Sequence, residues 1–289
     1  MGCLKIMVLL KDESIKNDEV RYVRKMKILF WNVHRNTKIN SYLVSLVKDN
    51  AVDVLILAEY DDSKEGLNDL LQRENIKLFA HGTFGCERID VWSIYDDISL
   101  GKQEPYYSLQ VIKGEYIICC VHMPSDLHGG NQDERHEIAR MMVYNIGELE
   151  KEIGSEKSII IGDFNEMPYE RTCLYASGMH GLPVLTENDK NTRIVKNIEY
   201  RKFYNPMWNL LGDFNYPPGT YYLNAAKICS PMWYMFDQVI ISKDVIPVFK
   251  KESLKIITSC SFSNLADAKG RPNEKISDHF PIICEIEND

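Results

Sequence analysis

Two apolar runs, Lys27–Val33 (KILFWNV) and Val52–Ala58 (VDVLILA), enclose Ile39, Tyr42, Leu43, Leu46 and Val47. Continuous apolar runs of this length read as strands buried on both faces. The enclosed series, repeating at i, i+3, i+4 and i+7, reads as an amphipathic helix. A strand–helix–strand unit dictates a parallel strand pair with a right-handed crossover. The chain is therefore expected to be α/β.

The later pattern extends this reading. Leu67–Glu74 is predicted as a helix and Ile76–Phe79 as a short strand. Ile89–Tyr95 and Tyr116–Val121 read as strands, with Lys113-Gly114-Glu115 as a tight turn between them. Ile138, Met141, Met142, Asn145, Ile146, Leu149 and Ile153 mark a long helix in which Asn145 is the one polar member of the apolar face. Ser158–Ile161, Phe236–Ser242 and Pro281–Ile286 supply later strands. No composition break or internal repeat divides the chain. One domain over 26–289 is expected, with 1–25 as an N-terminal appendage outside the core.

Bulk properties narrow the function classes. A chain of 289 residues can bury a sizeable core. A net charge of −8 argues against a general nucleic-acid coat protein. It leaves room for a nuclease, because Mg²⁺ and a local basic rim offset phosphate charge. The eight cysteines include no Cys-x-x-Cys pair, so a zinc site is not expected. Cys119, Cys120 and Cys284 lie in apolar strand-like runs as small hydrophobes. A reducing, cytoplasmic compartment and a monomer are expected. The Met1–Leu10 run is interrupted by Lys5 and has no small-residue cleavage site, so it does not read as a secretory signal. Ile6 breaks the myristoylation pattern. No window reaches about 18 apolar residues, so no membrane span is expected.

The chemistry lies at strand ends. Trp31-Asn32, Glu59, His122, Asp163-Phe164-Asn165, Asp237 and Ser277-Asp278-His279-Phe280-Pro281 each fall at the end of a predicted strand or just past it. Carboxylates, amides and imidazoles delivered to one rim suit metal-assisted phosphodiester hydrolysis. Glu59 is a hard-cation ligand candidate. Asp163 can orient or deprotonate water, and the Asn165 amide can donate to a phosphoryl oxygen. Strand alternation would point Asp163 and Asn165 to the same side. His279 suits proton transfer and needs an orienting carboxylate, for which Asp237 is the candidate. Gly212-Asp213-Phe214-Asn215 repeats the Gly162–Asn165 tetrapeptide. It runs into Pro217-Pro218-Gly219 and is read as a loop without a catalytic role.

Together these segments resemble the endonuclease/exonuclease/phosphatase superfamily, over residues 27 to 287. The resemblance implies a four-layered α/β sandwich, with two mixed β-sheets flanked by helices. It implies a Mg²⁺- or Mn²⁺-dependent phosphodiester hydrolase, with Glu59, Asn32 and Asp278 at the metal. It implies catalytic roles for His122, Asp163, Asn165, Asp237 and His279. His34 stands where the apurinic-endonuclease branch has an aspartate, and Ala58 precedes the glutamate where that branch has glutamine. The Trp-Cys-Asp-Arg signature of inositol 5-phosphatases is absent before Asp237. A nuclease or DNA-end-processing phosphodiesterase is therefore the leading expectation, with nucleic acid as substrate. A phosphatase or phospholipase-type phosphodiesterase is the alternative. A non-catalytic binding module is disfavoured, because no matched position carries an inert residue.

Aromatic residues crowd 200–236. Tyr221 and Trp233 in this segment are the candidates for stacking against an unpaired base.

Overall fold

The computed structural model describes residues 24–126, 129–224 and 230–288. The first half runs β1 (Arg24–Asn32), α1 (Asn40–Asn50), β2 (Val54–Ala58), α2 (Lys64–Arg73), β3 (Phe79–His81) and β4 (Ile89–Ser93). It continues through β5 (Ile98–Glu104), β6 (Tyr107–Ile112), β7 (Tyr116–His122), α3 (Gln132–Ile153) and β8 (Lys157–Asp163). Shorter elements follow: α4 (Arg171–Leu174), β9 (Gly181–Leu182), β10 (Thr192–Val195), β11 (Ile198–Arg201) and β12 (Phe203–Tyr204). The chain then forms β13 (Tyr221–Tyr222), β14 (Trp233–Tyr234), β15 (Asp237–Ile241), β16 (Lys255–Ile256) and β17 (Ile282–Asn288).

Two mixed sheets dominate. The first has six strands in the order β16-β17-β1-β2-β4-β3. The second has seven, in the order β5-β6-β7-β8-β15-β12-β9. The predicted crossover is present, because β1 and β2 are parallel and α1 connects them. The parallel pair β7–β8 repeats the device around α3.

Side-chain alternation divides each strand between two apolar layers. Ile28, Phe30, Ile56, Ile118, Cys120, Ile159, Ile161, Val239 and Ile241 form the core between the sheets. Leu29, Trp31, Leu55 and Leu57 face outward onto Leu43, Leu46 and Val47 of α1 and Leu67 of α2. Ile117, Cys119, Val121 and Ile160 face outward onto Ala139, Met142 and Ile146 of α3. The order is helix, sheet, sheet, helix, which is the four-layered sandwich. Each fully buried Ile or Leu side chain contributes about 1.5–3 kcal/mol to holding these layers together.

Some boundaries depart from the sequence pattern. β1 begins at Arg24, so Arg24 and Lys25, assigned to the appendage, pair with Asn288 and Glu287 of β17. Residues 1–23 lie outside the described residues. The strand expected over Ile76–Phe79 forms instead at Phe79–His81. Asn75 takes a left-handed φ of 55° after α2, and the Ile76 N–H folds back onto the Leu71 carbonyl at 2.9 Å. α3 starts at Gln132, where the Asn131 side chain accepts from Glu134 N. Asn145 is not the only polar residue on its inner side, since Arg135, His136 and Glu150 are buried while Asn145 is half-buried. Lys113 and Gly114 form the expected turn with φ of 56° and 61°. Among the described residues no helix is long and apolar enough to cross a membrane.

Candidate active site

The residues that fill the inter-sheet core also aim the polar set. On β1, Ile28 and Phe30 point between the sheets, and Asn32 is next in that phase. On β7, Ile118 and Cys120 are followed by His122. On β8, Ile159 and Ile161 are followed by Asp163. On β15, Asp237 precedes Val239 and Ile241 in the same phase. Register aligns them, because His122 pairs with Asp163 and Asp163 with Asp237 across three adjacent strands. At this end of the sandwich the apolar core gives way to amides, carboxylates and imidazoles.

These groups are buried, so each needs a partner. Asn32 Nδ2 donates to Asp163 Oδ2 at 3.0 Å, and Asn32 Oδ1 accepts from His34 N at 3.0 Å. His279 Nδ1 lies 2.8 Å from Asp237 Oδ2. Its Nε2 faces Asp163 Oδ2 at 3.9 Å, as does His122 Nε2 at 3.9 Å. The backbone around His279 is fixed from β1. Trp31 Nε1 donates to the His279 carbonyl at 2.8 Å, and Ser277 Oγ donates to the Asn32 carbonyl at 2.7 Å. This gives the Trp31-Asn32 and Ser277–His279 segments a shared physical role.

Asn165 does not reach the site by strand alternation. The chain turns after Asp163, with Asn165 N donating to Asp163 Oδ1 at 2.8 Å and Asn165 at φ 49°. Its Nδ2 donates to the Met123 carbonyl at 3.0 Å, tying the turn to the loop after β7. α3 braces both segments. Arg135 Nε donates to Glu166 Oε1 at 2.9 Å, while its Nη1 donates to the Pro124 carbonyl at 3.0 Å and Asp126 Oδ1 at 2.6 Å. The periodicity of α3 gave no sign of Arg135, because a buried cation breaks an apolar pattern.

Charge and burial tune the ionisable groups. Burial alone would lower the His279 pKa, but the negative charges of Asp237 and Asp163 and the Asp237 hydrogen bond push it up to about 10. Burial raises the Asp163 carboxyl, against the opposing charge of His279. The hydrogen bond from His122 outweighs burial at Glu59 and holds its carboxyl down to about 2. Glu59 is thus an ionised carboxylate throughout the neutral range. Its surroundings are all donors: His122 Nε2 at 3.4 Å, Asn32 Nδ2 at 3.5 Å and Arg35 Nε at 3.6 Å.

Two groupings bear on metal binding. Ligand atoms of Asp163, Asp237 and His279 lie within 4.8 Å of one another. In that group, however, the Asp237 oxygen and His279 nitrogen already satisfy each other and Asp237 is fully buried. Glu59 and Asp278 are more open, at 23% and 22% side-chain exposure, and line the same cavity. Glu59 and Asp278 offer carboxylate oxygens of the kind a hard divalent cation takes, while Asn32 turns its Nδ2 to Glu59 and its Oδ1 to the His34 N–H.

A cavity of about 440 Å³ opens onto Asn32, Glu59, Asp163, Asn165, Asp278 and His279. Its wall is aromatic. Tyr221 stacks on Phe236 with centroids 5.3 Å apart and lies 4.8 Å from the His279 ring. Tyr234 completes the wall. His122 approaches through Glu59 and lines the adjoining cavity, while Asp237 sits behind His279. Trp233 does not line this cavity. It precedes Tyr234 on β14 and packs edge-on against Tyr222 and Tyr216 over the outer core of the first sheet. The repeated tetrapeptide is remote from these groups, with Phe214 97% exposed on a loop.

No family model matches the sequence, and no curated protein matches it. Solved structures do. TDP2 of D. rerio, complexed with single strand DNA product, is 16% identical, with 92% of this chain and 99% of that chain covered and a TM-score of 0.55. An AP endonuclease from Archaeoglobus fulgidus is 12% identical, with 90% and 98% covered and a TM-score of 0.54. An endonuclease/exonuclease/phosphatase family protein from Bacteroides thetaiotaomicron is 12% identical, with 92% and 99% covered and a TM-score of 0.53. The chain has the fold of the endonuclease/exonuclease/phosphatase superfamily, in which two mixed sheets stack between helices.

Proposed function

We propose that this chain is a divalent-metal-dependent phosphodiester hydrolase acting on nucleic acid. The observation that carries this reading is the His279–Asp237 pair facing Asp163 and Asn165 across one cavity from Glu59. Similarly folded proteins include TDP2 with single strand DNA product and a 3' phosphatase with product DNA hairpin, which favours a nucleic-acid substrate.

Glu59, Asp278 and Asn32 would hold Mg²⁺ or Mn²⁺, which when bound supplies positive charge against the developing oxyanion. The remaining chemistry belongs to the chain. Asp163, its carboxyl raised by burial, orients the attacking water and accepts its proton. Asn32 holds the Asp163 Oδ2 that performs this step. His279 stays protonated at neutral pH and stabilises the charge growing on the phosphoryl oxygens. Asp237 fixes its ring, and Asn165 and His122 add donors to the same space. The aromatic wall of Tyr221, Tyr234 and Phe236 offers faces for a base.

The test is a substrate panel in Mg²⁺ comprising single- and double-stranded DNA, RNA, phosphotyrosyl DNA, inositol phosphates and sphingomyelin. Hydrolysis of a nucleic acid, lost in Asp163→Asn, is the expected result. Selective hydrolysis of inositol phosphates or sphingomyelin would transfer the same chemistry to a head-group substrate.

A further inference from the structure

The catalytic cavity continues into a second cavity of about 610 Å³ that shares His34, Glu59 and Ser125 with it. The two differ in charge. The first is lined by Glu59, Asp126, Asp163 and Asp278, with no lysine or arginine among its lining residues. The second brings in Arg35 and Arg88, which balance Glu59 and Glu134 in its lining.

The backbone of Glu59 places both arginines. Arg35 N donates to the Glu59 carbonyl at 2.9 Å, and Glu59 N donates to the Arg88 carbonyl at 3.3 Å. Arg35 takes a left-handed φ of 53°, its side chain is 73% exposed, and its Nε lies 3.6 Å from Glu59 Oε2. The Arg88 guanidinium lies over the Tyr106 ring, 5.0 Å from its centroid. Tyr106 belongs to the turn between β5 and β6, so this contact joins the two sheets at the rim. Among the described residues no carboxylate forms an ion pair with Arg88. A guanidinium resting on an aromatic face keeps its N–H edge for an acceptor and matches phosphate bidentately. His122 N donates to the Tyr106 carbonyl at 2.9 Å, which keeps this arm in register with the catalytic groups.

We infer that Arg35 and Arg88 form a second phosphate subsite, which takes the phosphodiester adjoining the one that is cleaved. The inference rests on the hydrolase reading and sharpens it. The substrate is a nucleic-acid strand with at least two consecutive phosphates. One flank of the cleft then contributes stacking through Tyr221, Tyr234 and Phe236, and the other contributes charge.

The experiment compares two substrates in Mg²⁺. One is a single-stranded oligodeoxythymidylate, and the other is the p-nitrophenyl ester of thymidine 5'-phosphate, which has one phosphodiester and no second phosphate. kcat/KM is measured against NaCl concentration for the wild type, Arg88→Gln and Arg35→Gln/Arg88→Gln. Each lost phosphate contact on a single strand should make the log–log salt slope shallower by about 0.7, or about 1.4 for the double variant. The double variant should lose at least tenfold more kcat/KM on the oligonucleotide than on the ester. Equal losses on both substrates, or an unchanged slope, would overturn the subsite and leave the hydrolase reading standing. Arg88→Gln carries the test alone if the double variant disturbs Glu59, because the Arg88 side chain touches no catalytic group. A wild type that cleaves neither nucleotide substrate would remove the nucleic-acid reading and the subsite together.

Discussion

At Asp163 burial raises the carboxyl while the charge of His279 opposes it, and the proposed role as base rests on that balance. The carboxyl is buried, with an amide donor and two imidazoles facing it. Asp163→Asn and His279→Ala should each lower kcat by at least about 10²-fold, the lower end for removing a positioned proton-transfer group. Asp213→Asn, in the exposed repeat of the tetrapeptide, should leave kcat unchanged in the same assay. Titration offers a second check. His279 is held above its ordinary pKa, so the stability it contributes is fully present below about 6.5 and is lost as pH rises through about 10. Thermal melts in chelator across this window should show the wild type losing stability toward alkaline pH. Asp237→Asn, which lacks the main charge opposing burial, should show a flatter profile. An equally steep profile for Asp237→Asn would contradict this origin of the shift.

At the scale of elements, the legible parts are those in which one side-chain period runs unbroken. β1, β7 and β8 alternate cleanly between two apolar layers, and the polar residue that ends each in-phase series is legible in the sequence, whereas Glu59 follows β2 in the outward phase and at a left-handed φ of 53°. Asn165 was misdirected, because its position follows from a turn closed by the Asp163 carboxylate. The first turns of α3 were missed, because Arg135 and His136 are polar and their burial depends on distant partners. Arg88 and Arg35 were not legible as a pair, since only the backbone of Glu59 brings them together. The aromatic crowding of 200–236 was visible, but not which side of β14 faces the cavity. The Arg135–Glu166 pair makes a measurable prediction. Arg135→Met should cost about 3–5 kcal/mol in urea unfolding, because it leaves the buried Glu166 carboxylate without its cation. Replacing both with apolar residues should recover much of that stability.

For the whole molecule, the cation proposed at Glu59 links folding to activity. Excess chelator should abolish hydrolysis, and Mg²⁺ at about 100 times its Kd should stabilise the native state by about 2.7 kcal/mol. Glu59→Gln should remove most of the Mg²⁺-dependent rise in Tm while retaining the chelated protein's Tm. An undiminished rise in that variant would move the cation elsewhere.

Among the described residues the first and last strands are neighbours, with Arg24 through Phe30 paired to Asn288 through Ile282. On a ribosome these partners emerge far apart in time. At about 5–20 residues per second, β1 waits on the order of 10–50 s for β17. His279 lies just ahead of β17 and arrives with it, so the nascent chain holds the proposed water-activating carboxylate without the imidazole that completes the site. The topology thereby ties completion of the proposed site to the arrival of β17.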